Sequence, residues 1–458
     1  MRLTGGMKAV VVGLGKSGMA AVRYLHHQGL EVKVSEYRNQ GQLSIDELSL
    51  LQQYGVEFET GGHTEDFVTD ADLILVSPGV PADLPVLAAA RGRGIPILGE
   101  FGLAADRIGV PVIAVTGSNG KTTVTSLIGH LLRAAGKKVF VGGNIGTPVL
   151  EYLLDPGDTE IMVMEVSSFQ LESAGTFRPD IGLLLNLSPD HLDRHGSMEA
   201  YAEAKRMLFA YQVSTDIAII GADDPLIMAE PLNTAATIVS FGTGPGCRAM
   251  VCEQSVQLEP GFGAEGEREE YQLAATRLCS GVNRYNAAAA VLAARSFGCS
   301  PEGIRKGLAD YEPPEHRMTP AGEIRGVFFI NDSKATNVGA VVAALAGFKN
   351  DVVLIAGGRD KGSDFSTLRP AVQEHVKHLV LIGESGADFT RSLAGTAEIE
   401  IADTMNNAVA LAFAAAGKGD TVLLAPACAS FDMFDNYEQR GLVFTQCVQE
   451  LRNRIEGK

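Results

Sequence analysis

Three stretches of this 458-residue chain pair a short apolar run with a glycine-rich turn, and this repeated unit constrains the fold most. A buried parallel strand is covered on both faces, so each run predicts a strand that opens an α/β unit. Further apolar runs alternate with helical patterns, which indicates mostly parallel sheets. The three units are residues 8–12 with turn 13–18, residues 110–115 with turn 116–122, and residues 351–356 with turn 357–361.

Other elements are predicted around these units. At roughly 100–200 residues per domain, the length indicates two to four domains. Residues 99–110 are one candidate linker, and Pro313 with Pro314 marks a second, because two prolines stop a helix. Residues 242–270 are rich in Gly and charge and receive no assignment. The further strands are expected at residues 31–34, 73–76, 139–141, 161–165, 181–186, 217–220, 328–331, 378–382 and 421–424, and helices at residues 17–27 and 122–135.

Charge, apolar runs and cysteine spacing exclude several classes of protein. The formal net charge of −17 repels phosphate backbones, which argues against nucleic-acid binding. Residues 1–8 lack the signal-peptide pattern and no run of about 18 residues is apolar enough to span a membrane, so we expect a cytoplasmic protein without membrane insertion. The six cysteines include no C-x-x-C pair and no zinc spacing, which predicts reduced thiols.

The strongest local motif is Thr-Gly-Ser-Asn-Gly-Lys-Thr-Thr at residues 116–123, between a predicted strand and a predicted helix. Its glycines let backbone N–H groups approach phosphate oxygens, and the helix N-terminus adds partial positive charge. Lys121 is predicted to meet the β- and γ-phosphates of a nucleotide, and the Thr122 hydroxyl to meet Mg²⁺. Val115 stands where the usual phosphate-loop pattern has a glycine, so the match is not strict. A chance Gly-Lys-Thr turn is the alternative.

A second glycine motif follows the first predicted strand. Gly13, Gly15 and Gly18 have the spacing of a dinucleotide-binding turn, and Glu36 lies near the position of a ribose-binding acid. The motif alone is weak. It fits NAD, FAD or the diphosphate of a UDP-sugar equally well, and a packing turn without ligand is a further alternative.

Polar side chains follow several predicted strands and should meet at one edge of each parallel sheet. Glu165 ends a strand and is placed to bind Mg²⁺ near the phosphate loop. His191 follows the next strand, and Lys205 lies on the helical stretch 198–209. A lone histidine or a helix lysine is more often structural. Polar residues also follow strands at residues 331–337 and 426–432, where an anionic amino acid would fit.

Taken together, these motifs resemble the Mur ligase family, and the resemblance spans nearly the whole chain. It rests on the phosphate loop, Glu165, His191, Lys205 and further segments in the family's order. The resemblance implies a Rossmann-like N-terminal domain that binds the UDP substrate, a central P-loop ATPase-like domain that binds ATP, and a Rossmann-like C-terminal domain that binds an amino acid. The further segments are Asn283 with Asn286, residues 315–317 and residues 332–337, and the implied domains are residues 1–102, 103–312 and 313–458.

The resemblance also implies an activity. Residues 165–171 and 426–441 look like those of the member that adds D-glutamate to UDP-N-acetylmuramoyl-L-alanine in peptidoglycan synthesis. Such enzymes use ATP and two Mg²⁺ ions, and the substrate carboxylate becomes an acyl phosphate before the amine attacks. Lys205 matches the family lysine that carries CO₂ as a carbamate. A monomer is expected.

Residue by residue, the resemblance implies four groups of contacts. The phosphates, Mg²⁺ and the nucleotide would be bound by Gly117, Ser118, Asn119, Gly120, Lys121, Thr122, Thr123, Asn283, Arg317 and Asp332. The metal ligands would be Thr122, Glu165, His191 and carbamylated Lys205. The UDP substrate would meet Ser17, Glu36, Arg38, Ser77, Asn144 and His191, and D-glutamate would meet Lys334, Thr336, Lys361, Ser430 and Tyr437. The implied catalytic residues are Lys121, Glu165, His191, Lys205 and Lys334.

Two departures from the family pattern stand out. Val282 replaces the histidine that often precedes Asn283, and Glu36 lies where the family often has aspartate. Among rival functions, a sister Mur ligase with another amino acid is nearest, and folylpolyglutamate synthetase shares the phosphate loop but not the UDP-type first domain. An NAD-dependent oxidoreductase explains only residues 13–18. A non-catalytic nucleotide-binding protein fits if Lys121 only senses ATP.

Overall fold

The computed structural model describes residues 2–261, 268–279, 281–348 and 351–457. Its strands form three sheets of five, nine and six strands, each built from a separate stretch of chain. Most neighbouring strands are parallel and alternate with helices, so the predicted α/β class is confirmed. The sheets occupy residues 8–98, 112–272 and 319–424. The precise boundaries after residues 102 and 312 remain predictions.

The first sheet is fully parallel, in the order β3-β2-β1-β4-β5. Its first strand is buried at four of five positions, as expected for a central parallel strand. A 3₁₀ turn spans Gln40–Gln42. The strands are β1 (Lys8–Val12), β2 (Glu31–Glu36), β3 (Glu57–Thr60), β4 (Leu73–Val76) and β5 (Ile97–Leu98), and the helices are α1 (Lys16–His27), α2 (Ile45–Gln53), α3 (Glu65–Thr69), α4 (Pro85–Gly92) and α5 (Glu100–Ala104).

The second sheet has the order β14-β13-β12-β11-β10-β9-β6-β8-β7 and is antiparallel only from β12 to β14. A 3₁₀ turn, Met207–Phe209, continues α10. The strands are β6 (Val112–Thr116), β7 (Val139–Gly143), β8 (Ile161–Glu165), β9 (Ile181–Leu184), β10 (Ile217–Gly221), β11 (Thr237–Gly242), β12 (Ala249–Val251), β13 (Ser255–Leu258) and β14 (Glu269–Gln272). The helices are α6 (Lys121–Ala134), α7 (Val149–Tyr152), α8 (Ser168–Leu171), α9 (Leu192–His195), α10 (Met198–Arg206), α11 (Pro225–Met228), α12 (Val282–Ser296) and α13 (Pro301–Asp310).

The third sheet has the order β15-β16-β20-β17-β18-β19, with β15 antiparallel at one edge. A 3₁₀ turn spans Phe365–Leu368. The strands are β15 (Thr319–Ile324), β16 (Val327–Asn331), β17 (Val352–Gly357), β18 (Val376–Ile382), β19 (Glu398–Ile401) and β20 (Thr421–Leu424), and the helices are α14 (Val338–Leu345), α15 (Arg369–His375), α16 (Gly386–Ser392), α17 (Met405–Ala415) and α18 (Tyr437–Glu456).

The predicted strands differ from the observed ones at their ends. The strand expected at residues 181–186 stops at Leu184, and the next two residues, Leu185 and Asn186, form hydrogen bonds with the phosphate loop. The unassigned stretch 242–270 contributes the antiparallel edge of the second sheet, although residues 262–267 of it lie outside the described residues.

Two predictions about chemistry and environment can be compared with the structure. All six cysteines lie in the described part of the chain and are free thiols, as predicted. Across the described ranges, no helix combines the length and apolar character needed to cross a membrane.

The first and central domains are joined by direct contacts of α1 and α5 with α7 and the loop before it. Lys16 Nζ donates to the Gly146 carbonyl at 2.5 Å, and Arg23 pairs with Glu151 at 3.0 Å. The buried Glu100 carboxylate accepts from the backbone N–H of Leu150 at 3.1 Å. These contacts fix the glycine-rich turn of the first domain against the loop that carries Asn144.

Candidate functional site

The phosphate loop connects β6 to α6 and has the backbone that its glycines permit. Gly117 and Gly120 have φ values of 151° and 84°, a region that side chains disfavour. A Cβ on Gly120 would lie 2.5 Å from the Asn286 side-chain oxygen, so close packing also demands glycine here. The loop therefore presents backbone groups and the N-terminus of α6 to one cavity, as a phosphate site requires.

Two lysines meet on the same loop carbonyl. Lys121 Nζ donates to the carbonyls of Gly117 and Ser118 at 2.7 and 3.0 Å, and Lys205 Nζ donates to Gly117 at 2.9 Å. Lys205 is 1% exposed and lies 4.4 Å from the Tyr201 ring centroid. Burial, and next the charge of Lys121, hold the pKa of Lys205 well below its usual value. Burial also lowers the pKa of Lys121.

Glu165 organises the next part of the site. Its carboxylate accepts from the Thr122 hydroxyl at 2.7 Å and from the Asn144 amide at 2.7 Å. Within the residues that the structure describes, no group of three His, Cys, Asp or Glu side chains could hold a metal. Mg²⁺ is usually bound by one or two protein oxygens together with substrate phosphates. The hydroxyl of Thr122 and the carboxylate of Glu165 fit that kind of site.

His191 lies at the start of α9 with a left-handed backbone, φ 54°. Its ring packs edge-on against Phe169 at 4.9 Å between centroids, and Nε2 is 3.6 Å from the Asp190 carboxylate. Burial lowers the pKa of His191 even though Asp190 raises it. The ring is therefore neutral near pH 7, and a neutral imidazole has a lone pair for a metal or a proton.

The third domain contributes two loops that follow β16 and β20. Lys334 Nζ lies 3.7 Å from the Tyr437 ring centroid, and burial lowers the pKa of Lys334 to about 8. Burial raises the pKa of Asp332 to about 6, against the opposing charge of Arg317. Both Lys334 and Arg317 line one cavity together with residues of the central domain.

A fully buried arginine holds these two loops together. The Arg440 guanidinium donates to the Ser333 hydroxyl at 3.0 Å, the Ser333 carbonyl at 2.9 Å and the Cys428 carbonyl at 3.1 Å. Burial lowers its pKa to about 10. Since Ser333 precedes Lys334 and Cys428 lies two residues before Ser430, Arg440 fixes the loops that carry both candidates.

A cavity of about 430 Å³ lies at the seam between the central and third domains, and we call it the seam cavity. It brings together most of the predicted ATP, metal and D-glutamate contacts and two of the predicted UDP-substrate contacts, Asn144 and His191. They are Ser118, Asn119, Gly120, Lys121, Thr122, Asn144, Glu165, His191, Lys205, Arg317, Lys334, Thr336, Lys361, Ser430 and Tyr437.

Two smaller cavities adjoin it. Three other predicted contacts, Thr123, Asn283 and Asp332, line a cavity of about 70 Å³ that shares Arg317 and Lys334 with the seam cavity. A further cavity of about 300 Å³ shares Asn119 and has a mostly apolar lining that includes Phe241, Tyr285, Asn286 and Asp223.

Sequence reasoning assigned no role to several residues that line these cavities. Asp190 and Asn337 line the seam cavity; Asp190 directly precedes His191, and Asn337 is the last residue of the predicted segment 331–337. Phe169 and Phe431 also line it, and each follows a predicted strand end. Tyr285 lies between the two asparagines of the N-x-x-N pattern, which was the available signal for the apolar cavity.

The remaining UDP-site candidates lie apart, in a cavity of about 610 Å³ at the glycine-rich turn of the first domain. Glu36 and Arg38 bind each other there, and Arg38 also pairs with Glu47 at 2.8 Å. Burial opposes ionisation of Glu36, but bonds from Arg38 and the Leu14 N–H hold its pKa below the usual value. The predicted UDP contacts are thus divided: Ser17, Glu36, Arg38 and Ser77 line this cavity, and Asn144 and His191 line the seam cavity.

Comparisons with known families cover most of the chain. Residues 7–99 match the Mur ligase MurD-like N-terminal domain, residues 115–294 the Mur ligase middle domain, and residues 316–428 the Mur ligase glutamate ligase domain. These matches follow the three sheets and confirm the three-domain architecture.

Full-length relatives agree. A UDP-N-acetylmuramoylalanine–D-glutamate ligase from Desulfotalea psychrophila is 46% identical over 443 residues, covering 97% of this chain and 96% of the relative. One from Koribacter versatilis is 43% identical, covering 97% and 98%. Among solved structures, UDP-N-acetylmuramate-alanine ligase MurC from Thermotoga maritima has a TM-score of 0.58 at 20% identity, covering 97% of this chain and all of that one. That structural likeness shows the shared fold.

Proposed function

This chain belongs to the Mur ligase family, and we propose that it catalyses the ATP-dependent ligation of D-glutamate to UDP-N-acetylmuramoyl-L-alanine in peptidoglycan synthesis. The observation that carries the proposal is the convergence of fifteen predicted contacts on the seam cavity. Relatives that are 46% and 43% identical over 97% of the chain bear the name of this activity.

ATP is assigned to the phosphate loop and the cavities beside it. The backbone of residues 117–120 and the N-terminus of α6 bind the phosphates, and Lys121 supports the γ-phosphate as it is transferred. The apolar cavity with Phe241 and Tyr285 fits the adenine ring, and Asn283, Arg317 and Asp332 hold the nucleotide from its other side.

The residues around Glu165 fit two Mg²⁺ ions that share their coordination with substrate oxygens. Thr122 and Glu165 would hold the first ion, and His191 with modified Lys205 the second. Bound Mg²⁺ offsets the negative charge that builds when a carboxylate approaches a triphosphate. Asn144 orients Glu165, because its amide donates to one carboxylate oxygen at 2.7 Å.

Lys205 is assigned a carbamate formed from CO₂. A protonated lysine cannot bind a metal, and only the neutral amine reacts with CO₂, releasing one proton as the N–C bond forms. Its burial, its lowered pKa and its position at the phosphate loop support this assignment. Within the described ranges, Lys205 forms no ion pair that would hold it as a cation.

The third domain is assigned the binding of the incoming amino acid. Lys334, Thr336, Lys361, Ser430 and Tyr437 would bind D-glutamate, and the two lysines match its two carboxylates. The carboxylate of the UDP-linked L-alanine attacks the γ-phosphorus and ADP leaves. The D-glutamate amine then attacks the acyl-phosphate carbonyl, loses a proton, and phosphate leaves. ATP and UDP-sugars are cytoplasmic metabolites, so the reaction is assigned to the cytoplasm, and a monomer remains the prediction.

The test is a phosphate-release assay with ATP, Mg²⁺ and UDP-N-acetylmuramoyl-L-alanine, supplied in turn with D-glutamate, L-glutamate, L-alanine and meso-diaminopimelate. A site built to pair a carboxylate rejects a substrate that lacks it, so D-glutamate should exceed L-alanine by on the order of 10⁴ in kcat/KM. Omitting either the UDP substrate or D-glutamate should abolish the release.

Each rival gives a different result in the same assay. Preferred turnover of L-alanine or the diamino acid would identify a sister ligase and contradict the proposal. Binding of ATP without turnover of any amino acid would identify a non-catalytic nucleotide-binding protein.

A further inference from the structure

One side chain at the seam has no part in the proposed chemistry, yet it joins the two loops that carry most of it. Asn337 is 6% exposed and begins α14, three residues after Lys334. Its amide nitrogen donates to the side-chain oxygen of Asn119 in the phosphate loop and to the carboxylate of Asp190, each at 3.1 Å.

The other half of the same amide is also occupied. The Asn337 side-chain oxygen accepts from the backbone N–H of Ala340 at 2.8 Å and caps α14. One side chain thus ends a helix of the third domain and binds the central domain, 218 residues away in sequence. The orientation of the amide is fixed, because the cap needs oxygen at one end and the seam needs N–H donors at the other.

The partner in the phosphate loop is itself held firmly. The Asn119 backbone N–H donates to Asn186 at 2.8 Å, and its side-chain amide donates to the Ser188 hydroxyl at 3.1 Å. Asn337 therefore bonds to a side chain that the central domain holds in place, so this bond sets the position of α14 relative to the phosphate loop.

A second observation at the same helix end points to docking. Gly339 lies so close to the central domain that a Cβ there would meet the Ser188 hydroxyl at 2.5 Å and the Ser188 Cβ at 2.8 Å. Both distances are shorter than real side-chain contacts allow. The first turn of α14 thus needs a residue without a side chain, although glycine weakens a helix.

We propose that Asn337 is a positioning residue for the ligation, which docks the amino-acid loop of the third domain onto the phosphate loop, and that Gly339 permits this docking. The inference rests on the proposed function for its kinetic consequences. Lys334 and Thr336 lie three residues and one residue before Asn337, so docking sets their distance to the carbonyl that the amine attacks. A misplacement of about 1 Å in such a site lowers turnover about 100-fold.

Two substitutions at Asn337 separate its capping of α14 from its hydrogen bonds to Asn119 and Asp190. In Asn337→Ser and Asn337→Asp a side-chain oxygen still caps α14, but the amide donor is lost, and Asp also places a charge against Asp190. We expect Asn337→Ser to unfold near the wild-type temperature, and kcat/KM for D-glutamate to fall about 100-fold in both variants. Binding of the UDP substrate to the first domain, measured by calorimetry, should not change.

Gly339→Ala provides a second test by a different route. Alanine is a better helix former, so the unfolding temperature should stay the same or rise, whereas docking is blocked and turnover falls. Thr404→Ala is the matched control. The Thr404 hydroxyl caps α17 by accepting a hydrogen bond from the Asn407 N–H, and this cap lies in the same domain but away from the seam. Removing it should lower the unfolding temperature and leave the kinetic constants unchanged.

Several results would overturn the inference. Wild-type turnover in Asn337→Ser would do so. The inference would also fail if the Asn337 variants lost turnover only together with a fall in unfolding temperature like that of Thr404→Ala. Small-angle scattering gives a readout without turnover: the radius of gyration should be larger in Asn337→Asp than in the wild type, and equal values contradict docking. If the wild type itself fails to release phosphate with D-glutamate, the proposed function fails, and the scattering comparison still decides the docking.

Discussion

The seam cavity and the first-domain cavity differ in how their cationic side chains are paired. In the described ranges, three lysines that face the seam cavity, Lys121, Lys205 and Lys334, form no ion pair, and a fourth, Lys361, lies 3.7 Å from the Asp190 carboxylate. In the first domain, Arg38 binds two carboxylates at once, Glu36 at 3.1 Å and Glu47 at 2.8 Å.

This difference separates a site with several unpaired lysines from one whose arginine is already paired with two carboxylates. Unpaired charges in a protein interior cost free energy, so they persist where a ligand of opposite charge completes them. Lys121 and Lys334 match the triphosphate and carboxylate groups of the proposed substrates, whereas Lys205 is the lysine proposed to carry the carbamate. The paired Arg38 instead forms a fixed polar wall, suited to the uncharged part of a nucleotide. Removing a cation should therefore affect turnover at the seam and stability in the first domain.

The largest effect is expected for Lys121→Ala. Losing the ammonium beside the γ-phosphate removes support for the transferred group, and phosphate release should fall about 10³-fold or more. The unfolding temperature should change little, since among the described residues Lys121 bonds only to loop carbonyls. The assay is D-glutamate-dependent phosphate release at saturating substrates.

Lys137→Ala is the control for Lys121→Ala, because Lys137 is half-exposed in a surface pair with Glu160 and should be silent. Turnover within tenfold of the wild type in Lys121→Ala would contradict the assignment of ATP to the phosphate loop.

Lys205→Ala should come next. Loss of a metal-binding oxygen costs several kcal/mol of transition-state support, hence a fall of about 100-fold or more in turnover. If the missing group is a carbamate, added acetate or propionate should restore part of the activity. Stability should not fall, because the buried lysine has only a carbonyl and an aromatic ring as partners among the described residues. Wild-type turnover in this variant would end the carbamate assignment.

Arg38→Ala tests the other side of the comparison. It leaves the Glu36 and Glu47 carboxylates, each 5% exposed, without the guanidinium donor, so the free energy of unfolding should fall by about 1–3 kcal/mol. Turnover at saturating substrates should persist. Thermal unfolding and phosphate release would be measured on the same preparation.

Arg93→Ala serves as the control for Arg38→Ala, since its pair with Glu65 lies in the same domain with both partners half-exposed. It should cost less than about 1 kcal/mol. A collapse of turnover at unchanged stability in Arg38→Ala would contradict the proposed division of roles.

The smallest effect concerns pH and Lys334. Its pKa of about 8 means that the ammonium is present below that pH and lost above it. D-glutamate stays anionic, so its affinity should fall as pH rises, by about tenfold between pH 7 and 9. Lys334→Arg stays charged and should abolish this dependence. Equal slopes in binding titrations of the two proteins would place the carboxylate elsewhere.

The sequence predicted the strand-end residues well, and for a physical reason. Glu165 and the segment at residues 331–337 follow apolar runs, and the carboxyl ends of parallel strands share one edge, so local pattern alone placed them at the site. The antiparallel edge from β12 to β14 could not be predicted, because its strands are short and half polar and gain stability from the sheet beside them.

Contacts between distant elements were also beyond sequence reasoning. The pairing of Arg38 with Glu47 depends on how α2 packs, and no local period indicates it. The bond between Asn337 and Asn119 depends on how two domains dock. Both follow from tertiary packing, which the order of residue types does not encode locally.

The central claim is that, within the seam cavity, the γ-phosphate of ATP is transferred to the substrate carboxylate before the amine of D-glutamate attacks. The most direct measurement uses UDP-N-acetylmuramoyl-L-alanine labelled with ¹⁸O in its carboxylate. After ligation with ATP and D-glutamate, mass spectrometry of the released phosphate should show one ¹⁸O atom, because the carboxylate oxygen leaves with phosphorus. Unlabelled phosphate, formed at the same rate as the amide product, would contradict this account.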